Sequence, residues 1–176
     1  MEEGKERSFV MMKPDGVARE LTDEVVKRLE AAGLTIIARK EMTATPEIVA
    51  KHYPKDPDYL LTMGHVDVTG WTDEQKAQRI AEMGARVDEM QQFIQSGPVV
   101  PMIVEGPIGT VAKIREIVGK TNPADSAPGT IRGDFGEDSY AQADVEGRSV
   151  RNIIHASGSP EEAAAEIANW FPEFTG

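Results

Sequence analysis

Ser8-Phe9-Val10-Met11-Met12-Lys13-Pro14-Asp15-Gly16 is a β-prone run that ends in a turn signature, where proline fixes φ and glycine tolerates φ > 0. A strand followed by a loop is expected. Beyond it, Leu21, Val25, Val26 and Leu29 recur at helical spacing, with Thr22 as the expected N-cap and Gly33 just past the helix end. Leu34 to Met42 then reads as a second strand, completing one β-α-β unit. A similar unit lies further along. Val99 to Val104 reads as a buried strand in which Pro101 argues for an edge position or a bulge. Thr110 to Val118 reads as a helix with Gly119 after its C-terminus, and Val150 to His155 as a last short strand. Two such units predict an α+β domain, a ferredoxin-like split β-α-β sandwich: a four-stranded antiparallel sheet with helices on one face.

The segments between these units carry their own signals. Thr45-Pro46-Glu47 supplies a cap, a proline at the first helical position and an acid in the first turn, so a short helix should run to about Tyr53. Pro54 to Gly70 has two prolines, two glycines and no sustained period, and reads as a loop. Thr72-Asp73-Glu74-Gln75 is a capping box, behind which Ile80, Met83, Val87, Met90 and Ile94 form one apolar helical stripe expected to pack in the core. Lys120 to Arg151 is dense in Gly, Pro, Asp and Ser without clear periodicity, and reads as a long loop of the kind that is functional or disordered. Ser159-Pro160-Glu161-Glu162 is a second capping box and should open a helix through about Trp170.

The 176 residues fit one domain of ordinary size. With 19 Lys plus Arg against 30 Asp plus Glu, the net charge of −11 disfavours a nucleic-acid-coating surface. The absence of cysteine excludes disulfides, thiolate zinc sites, iron–sulfur clusters and a cysteine nucleophile. The three histidines, His52, His65 and His155, show no metal-ligand spacing. The N-terminal stretch MEEGKERSFV is too acidic and polar for a signal peptide, and Pro98 to Val104 is too short to span a bilayer. A cytoplasmic protein without membrane or nucleic-acid partners is expected.

Familiar nucleotide motifs are missing. Gly119-Lys120-Thr121 resembles the end of a phosphate-binding P-loop, but the required earlier glycine falls on Ile114. A ferredoxin-like RNA-binding module would need stacked aromatics on central strands and a basic face, and the strands show neither. What remains is a set of anion-binding groups, Lys13, Arg115, Thr121, Arg132 and Arg151-Asn152, leading to one nucleophile candidate, His155. His155 lies between a strand and a capped helix, so that Glu166 on that helix can turn back toward the ring. A carboxylate accepting one ring N–H fixes the tautomer and leaves the other nitrogen free to attack. Strand alternation alone puts Asn152 and His155 on opposite faces, so spacing does not show that they cooperate.

Five blocks, Phe9-Val10-Met11-Met12-Lys13-Pro14-Asp15-Gly16, Ser96-Gly97-Pro98-Val99-Val100, Thr121-Asn122-Pro123-Ala124-Asp125-Ser126, Pro128-Gly129-Thr130-Ile131-Arg132-Gly133-Asp134-Phe135 and Asn152-Ile153-Ile154-His155-Ala156-Ser157, closely resemble the nucleoside diphosphate kinase family. They stand in family order from about Glu6 to Phe171. The resemblance implies a ferredoxin-like core and transfer of the γ-phosphate of a nucleoside triphosphate, mainly ATP, to a nucleoside diphosphate by a ping-pong route. His155 matches the phosphorylated histidine, and Glu166 the acid that orients it, with Ser157 a neighbouring hydroxyl. Lys13, Arg115, Thr121, Arg132 and Asn152 match residues that hold the phosphates and sugar, and Tyr53 a tyrosine beside the lysine. Mg2+ is expected to arrive on the phosphates, so no protein metal ligand is implied, and a homo-oligomer is expected.

This sequence departs from the family pattern in places. A single domain over 1–176 carries insertions at about 54–79 and 136–148. Where the family has a phenylalanine-rich segment that stacks on the base, this chain has Leu60-Leu61 or Arg86-Val87, leaving Trp71 or Phe93 as substitute rings. After the histidine the family's Gly-Ser-Asp is replaced by Ala156-Ser157-Gly158. The alternative reading is a catalytically weak nucleotide-binding or regulatory module of the same fold. The joint presence of Lys13, Arg115, Arg132, Asn152, His155 and Glu166 argues against it.

Overall fold

Lys5–Met12 forms β1, and its residues from Ser8 onward are buried on both sides, in a computed structural model that describes residues 4–64 and 66–174. His65 therefore lies outside the described residues. In chain order there come α1 (Pro14–Ala18), α2 (Thr22–Ala31), β2 (Thr35–Arg39), α3 (Pro46–His52), α4 (Pro57–Thr62), α5 (Asp73–Gln95) and β3 (Val100–Pro107). Then come α6 (Thr110–Val118), a 3-10 turn at Pro123–Asp125, α7 (Ile131–Phe135), α8 (Tyr140–Glu146), β4 (Ile154–Ala156) and α9 (Pro160–Trp170). The four strands form one antiparallel sheet in the order β2-β3-β1-β4. This is the expected ferredoxin-like arrangement.

Helices cover both faces of the sheet, not one as expected. Val10, Met12, Met102, Val104 and Ile154 pack on one side against Val25 and Leu29 of α2 and Ile114 and Val118 of α6. Phe9, Met11 and Ile103 point the other way, toward Val49 of α3, Leu60 of α4, Val87 and Ile94 of α5 and Trp170 of α9. The unbroken apolar runs of β1 and β3 are the sequence mark of two-sided burial, because residues at both phases of the strand must be hydrophobic. Each such side chain contributes roughly 1.5–3 kcal/mol when fully buried.

Pro101 sits in the interior strand β3, opposite Met11 of β1, and not at an edge. Its carbonyl accepts the Lys40 amide at 3.3 Å, so its nitrogen faces β2 as well. There the β2 ladder is irregular, with a register shift between Ile36 and Ala38, and beyond Arg39 it thins to the Lys40 bond and an isolated bridge from Met42 to Val99. The missing N–H thus falls where β2 is leaving the sheet.

The expected loops hold short helices. Within Pro54 to Gly70, Asp56 Oδ1 accepts the amides of Asp58 and Tyr59 and starts α4. Within Lys120 to Arg151, the Thr130 and Ser139 hydroxyls cap α7 and α8. Segments of one or two turns are too short for an apolar period to register. The last strand is limited to Ile154–Ala156, and Thr22 is the first helical residue of α2 rather than its cap. The capping box at Thr72 and Gln75 is complete, and α5 buries the predicted stripe. Ser159 caps α9, while the Glu162 carboxylate reaches the amide of Gly158.

Candidate active site

Three elements meet at one end of the sheet. β4 pairs with the C-terminal end of β1, placing His155 directly opposite Met11. α9 packs across the same sheet face, and one turn and a half into it Glu166 turns back to the histidine. Its Oε1 lies 2.7 Å from His155 Nε2, and its Oε2 accepts the Ser157 hydroxyl at 2.5 Å. The Ser157 oxygen itself accepts the Phe9 amide of β1 at 3.2 Å, which fixes the carboxylate to the sheet. Because Glu166 takes Nε2, the Nε2–H tautomer is favoured and Nδ1 keeps its lone pair. Nδ1 has no hydrogen-bond partner among the described residues, and the side chain is 20% exposed.

Lys13 sits where β1 ends, buried, with its Nζ donating to Asn152 Oδ1 at 2.8 Å. Asn152 Nδ2 in turn donates to the Thr121 carbonyl at 2.8 Å. Burial, reinforced by the nearby Arg132 charge and opposed by Asp15, lowers the Lys13 ammonium to about 8. Arg132, carried by α7, commits its guanidinium to backbone: Nε to the Asn152 carbonyl, Nη1 to Gly119 and Nη2 to Ile154. Burial brings Arg132 down to about 10, with Arg115 adding repulsion. Arg115 itself is exposed on α6 and forms no ion pair among the described residues.

Lys13, Tyr53, Thr121 and Asn152 line one cavity of about 170 Å³, whose far wall includes Arg86, Phe93, Tyr140 and Val150. Tyr53 also borders the adjoining cleft that contains His155 and Glu166. Burial pushes its phenol well above the ordinary value, so it stays protonated. Of the two substitute rings, Phe93 lines the cavity, with the Arg151 guanidinium 5.5 Å over it, and Trp71 does not. Leu60 and Val87 are buried in the core beneath.

His52 carries no distinguishing signal in the sequence, yet it belongs to this cluster. Its ring lies 4.5 Å from those of both His155 and Tyr53, and its Nδ1 accepts the Trp170 indole N–H at 3.3 Å. Burial, then repulsion from His155 and Lys13, holds it well below the ordinary histidine value, so it is neutral at pH 7. Its place at the end of α3 reads in sequence as a cation at a helix C-terminus, and no spacing rule separates the two roles.

The family model for nucleoside diphosphate kinase matches residues 6–60 and 73–175. The chain belongs to the nucleoside diphosphate kinase family. It is a phosphotransferase of that kind, a nucleoside diphosphate kinase. A nucleoside diphosphate kinase from Pyrobaculum aerophilum is 38% identical over 176 residues, covering 96% of each chain. The cytosolic nucleoside diphosphate kinase of Dictyostelium discoideum is 39% identical, covering 95% of this chain and 84% of that one. Among solved structures, the Pyrobaculum kinase superposes with a TM-score of 0.83 at 36% identity, over 95% and 96% of the two chains. A transition-state mimic of the Borrelia burgdorferi kinase with vanadate and ADP superposes with a TM-score of 0.80 at 31% identity, over 98% and 91%. Nucleotides are thus the substrates of the family to which this fold and site belong.

Proposed function

We propose that the enzyme transfers phosphate in two steps through Nδ1 of His155. In the first, the Nδ1 lone pair attacks the γ-phosphorus of an NTP, a P–N bond forms, the bond to the β–γ bridging oxygen breaks, and the NDP leaves with that electron pair. In the second, a terminal β-phosphate oxygen of another NDP attacks the same phosphorus and the P–N bond breaks. The observation that carries this reading is the 2.7 Å contact of Glu166 with Nε2, which leaves Nδ1 as the free nitrogen and stabilises the charge the ring acquires.

Phosphoryl transfer needs little from a protein beyond alignment and positive charge. Lys13 supplies a buried amine whose ionisation lies close to neutral pH, ready to be drawn to the charged form by phosphate. Asn152 and Thr121 hold the sugar and phosphates, Arg115 reaches the outer phosphate oxygens, and Arg132 secures the loop that carries Asn152. Tyr53 walls the passage to His155. The nucleoside lies along Phe93, and the segments 54–79 and 136–148 are additions to a single domain, the first lining the cavity with Met63 and the second with Tyr140, Ala143, Asp144 and Arg148, beside residues of α5.

Mg2+ fits as a passenger on the phosphates. Among the described residues, the one cluster able to ligate a metal is His52, His155 and Glu166. Its two imidazoles do not suit Mg2+, which prefers oxygen ligands, and its atoms are already hydrogen-bonded to one another or to Trp170. Bound with nucleotide, the ion neutralises phosphate charge. Among the described residues no helix is long and apolar enough to cross a membrane. The cytosolic name of the Dictyostelium relative supports a cytoplasmic place, and the open edge of β2, with half-buried Ile36 and Ile37, supports a homo-oligomer.

The test is intact-mass analysis at neutral to alkaline pH after mixing with Mg2+ and ATP, followed by GDP. One acid-labile phosphoryl adduct, lost on GDP addition as GTP appears, and absent from His155→Ala, is the expected result. ATP binding with no adduct and no GTP supports the regulatory alternative, and a fully active His155→Ala rejects the nucleophile.

A further inference from the structure

Ile153, between Asn152 and the nucleophile's strand, has φ of +72°, which a β-branched residue rarely adopts. The amide of Ile154 donates back to the Asn152 carbonyl at 2.7 Å, so Asn152 to Ile154 form a three-residue turn of the uncommon positive-φ kind. Such a turn persists only where its surroundings over-determine it. Here the turn that ends β1 encloses it. The Lys13 amide donates to the Ile153 carbonyl at 2.8 Å, and the Asp15 Oδ2 accepts the Ile153 amide at 2.9 Å. Gly16 completes the mould: a Cβ there would stand 2.7 Å from the Ile153 carbonyl oxygen and 2.9 Å from its side chain.

We propose that Asp15 is a positioning residue for phosphoryl transfer, which holds the strained Ile153 turn and thereby delivers Asn152 to Lys13 and the carbonyls of Asn152 and Ile154 to Arg132. The acid stands in the first turn of α1, the usual place of a helix-stabilising carboxylate. Yet it makes no cap to its own helix and reaches across 138 residues to the Ile153 amide instead. Its second oxygen, Oδ1, is buried without a hydrogen bond, and the carboxylate offsets the charges of buried Lys13 and Arg132. Without the clamp, Ile153 relaxes to negative φ, the turn opens, and Asn152 Oδ1 leaves Lys13. The inference rests on the reading of Lys13, Asn152 and His155 as the transfer site.

The experiment is steady-state transfer from ATP to dTDP by Asp15→Ala and Asp15→Asn, each alone, and by Asp15→Ala combined with Ile153→Ala or Ile153→Gly. Asp15→Ala should lose about 30-fold in kcat/KM. Asp15→Asn, which keeps an acceptor oxygen, should stay within about fivefold of the parent. Both combined variants lose the isoleucine side chain beyond Cβ, and glycine loses Cβ as well, but only glycine adopts φ near +72° freely, so Asp15→Ala/Ile153→Gly should exceed Asp15→Ala/Ile153→Ala by about tenfold. Equal activity of the two combined variants, or a weaker glycine variant, overturns the proposal, because a role in packing alone gives glycine no advantage. If the Ile153 variants do not fold, Asp15→Asn as impaired as Asp15→Ala overturns it. The parent enzyme tests the kinase reading separately: no transfer by the parent defeats that reading, whereas an active parent with an unimpaired Asp15→Ala defeats this one.

Discussion

Replacing Glu166 by glutamine removes one charge and almost no volume, and the two contacts of the carboxylate set the consequence. It accepts from His155 Nε2–H at 2.7 Å and from the Ser157 hydroxyl at 2.5 Å. A glutamine has one acceptor oxygen and one donor NH2, so it cannot accept from both partners as the carboxylate does. If the oxygen stays on Ser157, the NH2 faces Nε2 and favours the tautomer with hydrogen on Nδ1, the nitrogen proposed to attack. If the oxygen turns to His155, the Ser157 hydroxyl is left with the Phe9 carbonyl at 3.2 Å as its acceptor, and the ring loses the negative charge that balances it during transfer. A hydrogen bond to a charged group contributes about 1.5–3 kcal/mol, so transfer should fall roughly 10- to 100-fold. GDP binding should change little, since Glu166 faces the ring and not the phosphates. Single-turnover phosphorylation by ATP in a quenched-flow mixer, with GDP affinity measured by calorimetry, separates the two. A Glu166→Gln rate within twofold of the parent would refute the role of the carboxylate.

The buried Lys13 makes a pH prediction of definite sign. With its folded pKa near 8 against 10.5 unfolded, the free protein bears the full burial penalty below pH 8, so its stability should rise between about pH 8 and 10.5, while nucleotide affinity falls over the same range as the ammonium is lost. Denaturant melts and calorimetric titration of GDP across that range check both slopes, and Lys13→Met should flatten them. His52 is held well below its ordinary value, so the folded state stays neutral while the unfolded one takes up a proton, and stability should fall as pH drops below about 6.5. His52→Gln should lessen that slope in urea melts at about pH 4 to 7. Gly133→Ala should destabilise by more than about 2 kcal/mol, because a Cβ there would lie 2.0 Å from the Ala127 carbonyl oxygen, a backbone atom that cannot step aside. Thermal melting measures the loss, and a shift within error of zero would contradict the geometry.

How far the sequence could be read depends on the range over which each signal acts. The capping box at Thr72, the stripe from Ile80 to Ile94 and the helix Thr110–Val118 all rest on contacts within a few residues, and the structure has them. Glu166 is reachable because one capped helix connects it to His155. The contacts that assemble the site span much more chain: Lys13 to Asn152, Asp15 to Ile153, and Trp170 to His52. No period or cap encodes them, and only the resemblance to a family brings Lys13 and Asn152 together in advance. The backbone at Ile153 marks the limit most clearly. Strand alternation, applied to Val150 to His155, puts Asn152 and His155 on opposite faces, and that reasoning assumes extended φ throughout. The residue at the centre has positive φ, and an isoleucine there contradicts every local preference of its side chain. A local rule therefore fails where a distant acid, a distant amide and a distant glycine impose the conformation together. Lys13, Asp15 and Gly16 lie within four residues of one another. The Lys13-Pro14-Asp15-Gly16 turn is thus one device with two products: an ammonium held at the end of β1 against Asn152, and a backbone mould for the loop that carries Asn152.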